Sequence, residues 1–183
     1  NSVIDIAVDG NANFGGTLKA SKIALASERG NLTVSANLSG TGGNDLKEVD
    51  FSARGDLAVS SVVNATDTVR FKAGGSLSGV NLNLSVDEVI EISTGDALNF
   101  GVGSVLKADK RISLVSTDGN LTFAGTAEGK TTAGALEEIV LKAKGDLSVQ
   151  AQIAASRKIL LEAGGSLTSS AGSLNLSATG SEG

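Results

Sequence analysis

Residues 139–176 read "IVLKAKGDLSVQAQIAASRKILLEAGGSLTSSAGSLNL" and state one pattern twice. IVLKA at 139–143 precedes Gly145, Asp146 and Leu147, and 20 residues later ILLEA at 159–163 precedes Gly165, Ser166 and Leu167. Within each copy apolar and polar residues alternate, which is the period of a strand with one buried face. A glycine turn then leads into a second, shorter apolar run.

The pattern extends outward through the whole chain. Turn anchors fall at Gly10, Gly30, Gly55, Gly75, Asp96, Gly119, Gly145 and Gly165. Two residues after each anchor stand Ala12, Leu32, Leu57, Leu77, Leu98, Leu121, Leu147 and Leu167. Before the anchors run two apolar columns. One is Ile4, Ile23, Val49, Val69, Ile90, Ile112, Ile139 and Ile159; the other is Ile6, Phe51, Phe71, Ile92, Leu141 and Leu161, with Leu25 and Leu114 displaced by one residue. A small-residue column (Val8, Ala53, Ala73, Thr94, Ala143, Ala163) and one opening with Phe14, Val34 and Val59 complete the unit.

No segment keeps helical spacing for three turns, so parallel strands have no crossover helices to return them. A chain that winds, each strand pairing with its equivalent one coil on, meets the same need. The expected fold is therefore all-β: a parallel β-helix, or solenoid, of about eight coils of roughly 20 residues. Right-handed winding follows the rule for parallel crossovers. Eight coils at the strand spacing of about 4.8 Å give a rod of roughly 40 Å. Stacking in register would set Asp50, Arg70 and Glu91 in one alternating charge ladder, and Lys142 beside Glu162. The turn glycines are expected to adopt positive φ.

Composition narrows what such a rod can do. The 183 residues carry 15 Lys+Arg against 20 Asp+Glu, a net charge of −5. An acidic chain has no electrostatic pull toward nucleic acid. There is no His, Cys, Pro, Met, Trp or Tyr, which removes disulfides, thiolate metal sites and the usual general base. No run of 18 apolar residues exists to span a bilayer. No cofactor and no metal ligand set is expected. The start at Asn1, within a strand-like pattern, reads as a segment of a longer protein, with 1–183 one β-helix throughout.

The repeat is interrupted at residues 39–48 and 125–138. Both interruptions precede a first strand and are expected to project from one face, with Leu46 and Leu136 tucked back into the core. Each is either a tolerated surface insertion or a loop that contacts a partner. Its candidate binding residues are Asn44, Asp45, Lys47, Lys130, Thr131 and Thr132. Val140 and Leu160, with Val115 nearby, break the outward polar pattern, and the second insertion is expected to cover them. Of six Asn-x-Ser/Thr sequons, Asn31 and Asn120 are expected to point outward. Glycoside hydrolysis needs two carboxylates roughly 5 to 9.5 Å apart. The candidates Asp56 and Asp146 fall about 19 Å apart at strand spacing, so an enzyme is not expected.

Coils written "ISLVSTDGNLTF", "VRFKAGGSLSG" and "IVLKAKGDLSV" resemble the degenerate repeats of filamentous-haemagglutinin-like exoproteins, the large bacterial adhesins of the two-partner secretion pathway. The likeness covers nearly the whole chain. It implies a secreted or bacterial-cell-surface rod, exported through an outer-membrane transporter, that mediates adhesion, aggregation or biofilm formation or carries a toxin tip. Its receptor would be a host or bacterial surface molecule or glycan. The alternative is a polysaccharide-binding or -cleaving β-helix such as a phage tailspike domain.

Overall fold

The computed structural model describes residues 2–41, 45–79, 82–131, 136–169 and 175–178. These form an all-β parallel solenoid of about 7 turns, successive coils about 21 residues apart. The first strands of the coils are Val3–Val8, Lys22–Ser27, Glu48–Ala53, Thr68–Ala73, Val89–Thr94, Arg111–Ser116, Glu138–Ala143 and Lys158–Ala163, stacked in one 8-stranded sheet. After the glycine turn a second 8-stranded sheet runs from Ala12–Phe14 to Leu167–Ser169. No helix among the described residues is long and apolar enough to cross a membrane.

The columns read from the sequence are rungs of this stack. Ile23 pairs with Val49, Val49 with Val69, and Val69 with Ile90. Leu25 and Leu114 sit in register with Phe51 and Ile92. Their apparent displacement is one extra residue in the turn that follows. In those two coils a buried serine replaces the small apolar residue. Ser27 Oγ donates to the Gly10 carbonyl at 2.7 Å and accepts from the Gly30 amide at 3.2 Å. Ser116 does the same with Asp96 and Gly119 at 2.6 and 3.2 Å. The hydroxyl satisfies the backbone groups that a longer turn frees.

A third side escaped the reading. It comprises a 6-stranded sheet that includes Val62–Asn64, Asn83–Ser85, Val105–Lys107, Thr126–Glu128 and Gln152–Ala155, and a separate pair, Thr17–Lys19 with Asn37–Ser39. Val63, Leu84, Leu106, Ala127 and Ile153 point inward from it and are buried. Residues 126–128, assigned above to an insertion, are thus an ordinary strand, paired on both sides. The excess residues begin after Glu128.

The turn glycines also needed a different explanation. Among the described glycines, positive φ occurs at Gly16 (φ 78°), which is not one of the anchors. What excludes a side chain at most of the anchor glycines is the neighbouring coil. A Cβ on Gly30 would lie 2.6 Å from the Asn11 amide nitrogen, and one on Gly95, the residue before the anchor Asp96, would meet the Gly74 carbonyl oxygen and lie 2.9 Å from its carbon. Gly10, in the first coil, has nothing within 4 Å of that position. Glycine stands here for close approach of backbone to backbone.

The cleared space is used by an amide and carboxylate ladder. The Asn31 amide donates to Asn11 Oδ1, that of Asp56 to Asn31 Oδ1, and that of Ser76 to Asp56 Oδ1, each at 2.8 Å. Asn120, Asp146 and Ser166 repeat the device at 2.8 Å. Asn31 and Asn120 are exposed, but their amide groups run along the rod to the next coil rather than straight outward.

Candidate functional site

Opposite charges line up along the outer faces because in-register parallel stacking sets equivalent side chains about 5 Å apart. Arg70 Nε lies 3.2 Å from Glu91, in register with Asp50 on its other side. Lys142 meets Glu162 at 2.8 Å. A further ladder, missed in the sequence, joins Arg111, Glu138 and Lys158, at 3.5 and 2.9 Å. The Lys158 hydrogen bond, helped by the charges of Lys158 and Arg111, holds the Glu138 carboxyl below the usual glutamate range against a smaller opposing effect of burial. Lys144 at 2.7 Å acts likewise on Asp118. Exposed pairs of this kind contribute little stability each; a one-residue slip in register would break them and turn their charges toward the core face.

Both interruptions of the repeat sit at one corner of the coil, between the end of a third strand and the start of the next first strand. The first leaves Ser39 and rejoins at Glu48; the second leaves Glu128 and rejoins at Glu138. Leu46 (3% exposed) and Leu136 (0%) enter the core and fix the returning ends. The Leu46 and Lys47 carbonyls accept the Thr66 and Asp67 amides of the following coil at 2.9 and 3.0 Å.

Of the candidate residues, Asp45, Lys47 and Thr131 are exposed. Asn44 and Thr132 lie outside the described residues. Lys130 lies along the rod: its ammonium pairs with Asp87 at 2.5 Å and reaches the Ala65 carbonyl at 3.4 Å. Ala65 adjoins Thr66, whose amide is held by Leu46. Lys130, at the root of the second insertion, therefore reaches back along the corner toward the first. Asp109 holds its root, one carboxylate oxygen accepting the Lys130 and Thr131 amides at 2.7 and 3.0 Å. Asp87 and Asp109 were not singled out from the sequence. Their signal was positional, since each stands two residues ahead of a first strand.

The outward apolar residues are partly accounted for. Val140 is 3% exposed, and Val115 and Leu160 are half-buried. The segment expected to cover them includes residues 132–135, which lie outside the described residues. Among the described residues no group of three or more His, Cys, Asp or Glu is placed to hold a metal ion.

No family model, curated protein or solved structure matches the chain.

Proposed function

We propose that this chain is a structural and adhesive rod segment of a large secreted bacterial surface protein, of the filamentous-haemagglutinin-like kind exported by two-partner secretion. The observation that carries the reading is the continuity of the stack: the same core columns run from the first coil to the eighth. Stacked coils with a shared apolar core make a stiff spacer. A spacer offers contact to partners where its outline departs from the repeat, and here both departures gather at one corner. The partner would be a surface receptor or glycan on a host or bacterial cell, and the place of action the cell surface. In this reading the rod has no catalytic role and takes no cofactor.

The test compares the fragment with a version lacking residues 40–44 and 130–135, which keeps Leu46, Leu136 and the strand at 126–128. The proposal expects saturable binding of the fragment to intact cells and loss of at least tenfold in affinity on shortening, with the far-UV dichroism unchanged. Binding by neither form removes the adhesive role and leaves a shaft. Equal binding by both moves recognition away from this corner.

A further inference from the structure

Most cations of this rod are neutralised by a carboxylate on a neighbouring coil. Of the 15 Lys and Arg, Lys19, Lys47, Arg54 and Lys72 form no ion pair among the described residues. Arg54 and Lys72 line one open groove of about 530 Å³, at the turn that follows the first strands of the second to fourth coils. Glu28, Ser52 and Gly74 share that groove.

The register explains how the two cations come to be free. Ser52 and Lys72 are paired positions on adjacent strands, and Arg54 lies two residues beyond Ser52. Two residues of strand rise and one coil of spacing set Arg54 and Lys72 about 8 Å apart at their Cα atoms. Both long side chains can converge on one bound group. Along the rod the Arg54 amide donates to the Ser27 carbonyl and the Gly74 amide to that of Ala53. Glu28 is therefore one coil below Arg54, and Gly74, with no side chain, one coil above. A Cβ on Gly74 would meet the Arg54 carbonyl oxygen, so the two backbones close on each other there and leave the Arg54 side chain without a neighbour from that position. Glu28 makes no ion pair with Arg54 among the described residues.

The charges in the groove come to one net positive: two cations against one carboxylate. That balance suits a ligand with a single carboxylate per recognition unit. The guanidinium binds a carboxylate in two-pronged fashion and the ammonium adds a point charge, while Glu28 and the Ser52 hydroxyl are placed to bond neutral hydroxyl groups. Densely sulfated polymers fit less well, since Glu28 within the groove repels further negative charge on the same unit. No large apolar side chain lines the groove, so it offers no pocket for an apolar peptide side chain. We propose that this groove binds a uronic-acid-bearing polysaccharide, the carboxylate on Arg54 and Lys72 and ring hydroxyls on Glu28 and Ser52. The assignment rests on the adhesive reading given above and names a ligand class for it, at a site separate from the insertion corner.

The experiment uses the full chain and immobilised polygalacturonate, dextran sulfate, neutral dextran and polyglutamate. Saturable binding to polygalacturonate is expected, with dextran sulfate and polyglutamate at least tenfold weaker and dextran unbound. Arg54→Gln with Lys72→Gln lowers polygalacturonate affinity at least tenfold. Lys19→Gln with Lys110→Gln, the same change in net charge, leaves it within twofold. Glu28→Gln narrows the preference for uronate over sulfate. Equal loss in the two double variants, equal binding of polyglutamate or dextran sulfate, or no binding of polygalacturonate would each overturn the proposal. In the last case, cell binding that depends on the insertion corner would still support the adhesive reading; loss of both would remove the two together.

Discussion

Replacing Phe71 by alanine is expected to lower the unfolding free energy by about 3–5 kcal/mol, the range for truncating a buried aromatic. Phe71 is 1% exposed and its ring stacks on that of Phe51 at 5.1 Å between centroids, 3° from coplanar. Stacking of equivalent residues forces that parallel geometry, since both rings leave equivalent backbone positions one coil apart. The cavity left by truncation would be bounded by Phe51 below and Ile92 above, neither of which can collapse into it without moving its own coil. Phe14 provides the comparison. It is half-buried, in the first coil with one stacked neighbour, and its alanine variant should lose less than half as much. Urea melts followed by far-UV dichroism measure both, because the chain has neither Trp nor Tyr. Equal losses at the two positions would contradict a core built by stacking.

The second large effect lies at the turn glycines. Gly95→Ala should cost about 1–3 kcal/mol, as overpacking typically does, because the new methyl meets backbone atoms of Gly74 rather than the tip of a flexible side chain. Relief would require the two coils to separate and would stretch the Gly95–Ala73 amide-to-carbonyl bond of 2.9 Å. Gly10→Ala, at the equivalent turn with open space around it, should stay within about 0.5 kcal/mol of the parent. A conformational role for these glycines would make the two variants alike. A steric role between coils makes them differ.

These two residues show what was legible in the sequence. In a parallel in-register stack, equivalent residues touch their own kind, so the interval between copies is also the contact map. Ile139 and Ile159 therefore revealed their pairing directly, as did Lys142 and Glu162. The glycines revealed their place but not their reason, because a tight turn and a close approach call for the same residue. The third sheet was hidden for a different cause. Many of its strands are three residues long, each with one inward side chain, and Val63, Leu84, Leu106 and Ala127 vary too much in size to read as a column.

At the candidate sites the sequence located the insertions and the returning leucines, whose burial depends on local alternation. It left Lys130 as a projecting residue, since nothing local says that its ammonium reaches Asp87 and Ala65, 65 residues away in the chain in the second case. The Arg54 and Lys72 groove was equally silent. A cation without a partner is recognised only when the neighbouring coils are known.

The register itself can be tested most directly with cysteine pairs, for which a chain with no native Cys is a clean background. Ser93 and Val115 are paired positions on adjacent first strands, and adjacent Cα atoms about 4.8 Å apart are within disulfide reach. Val115 and Lys142 form the next such pair, so Ser93 and Lys142 lie two coils apart in the same column. Under native conditions with mild oxidant, Ser93→Cys with Val115→Cys should cross-link nearly completely, and Ser93→Cys with Lys142→Cys should remain reduced. Cross-linking of the second pair, or failure of the first in a folded protein, would contradict the in-register stack on which the rod, its ladders and both proposed sites depend.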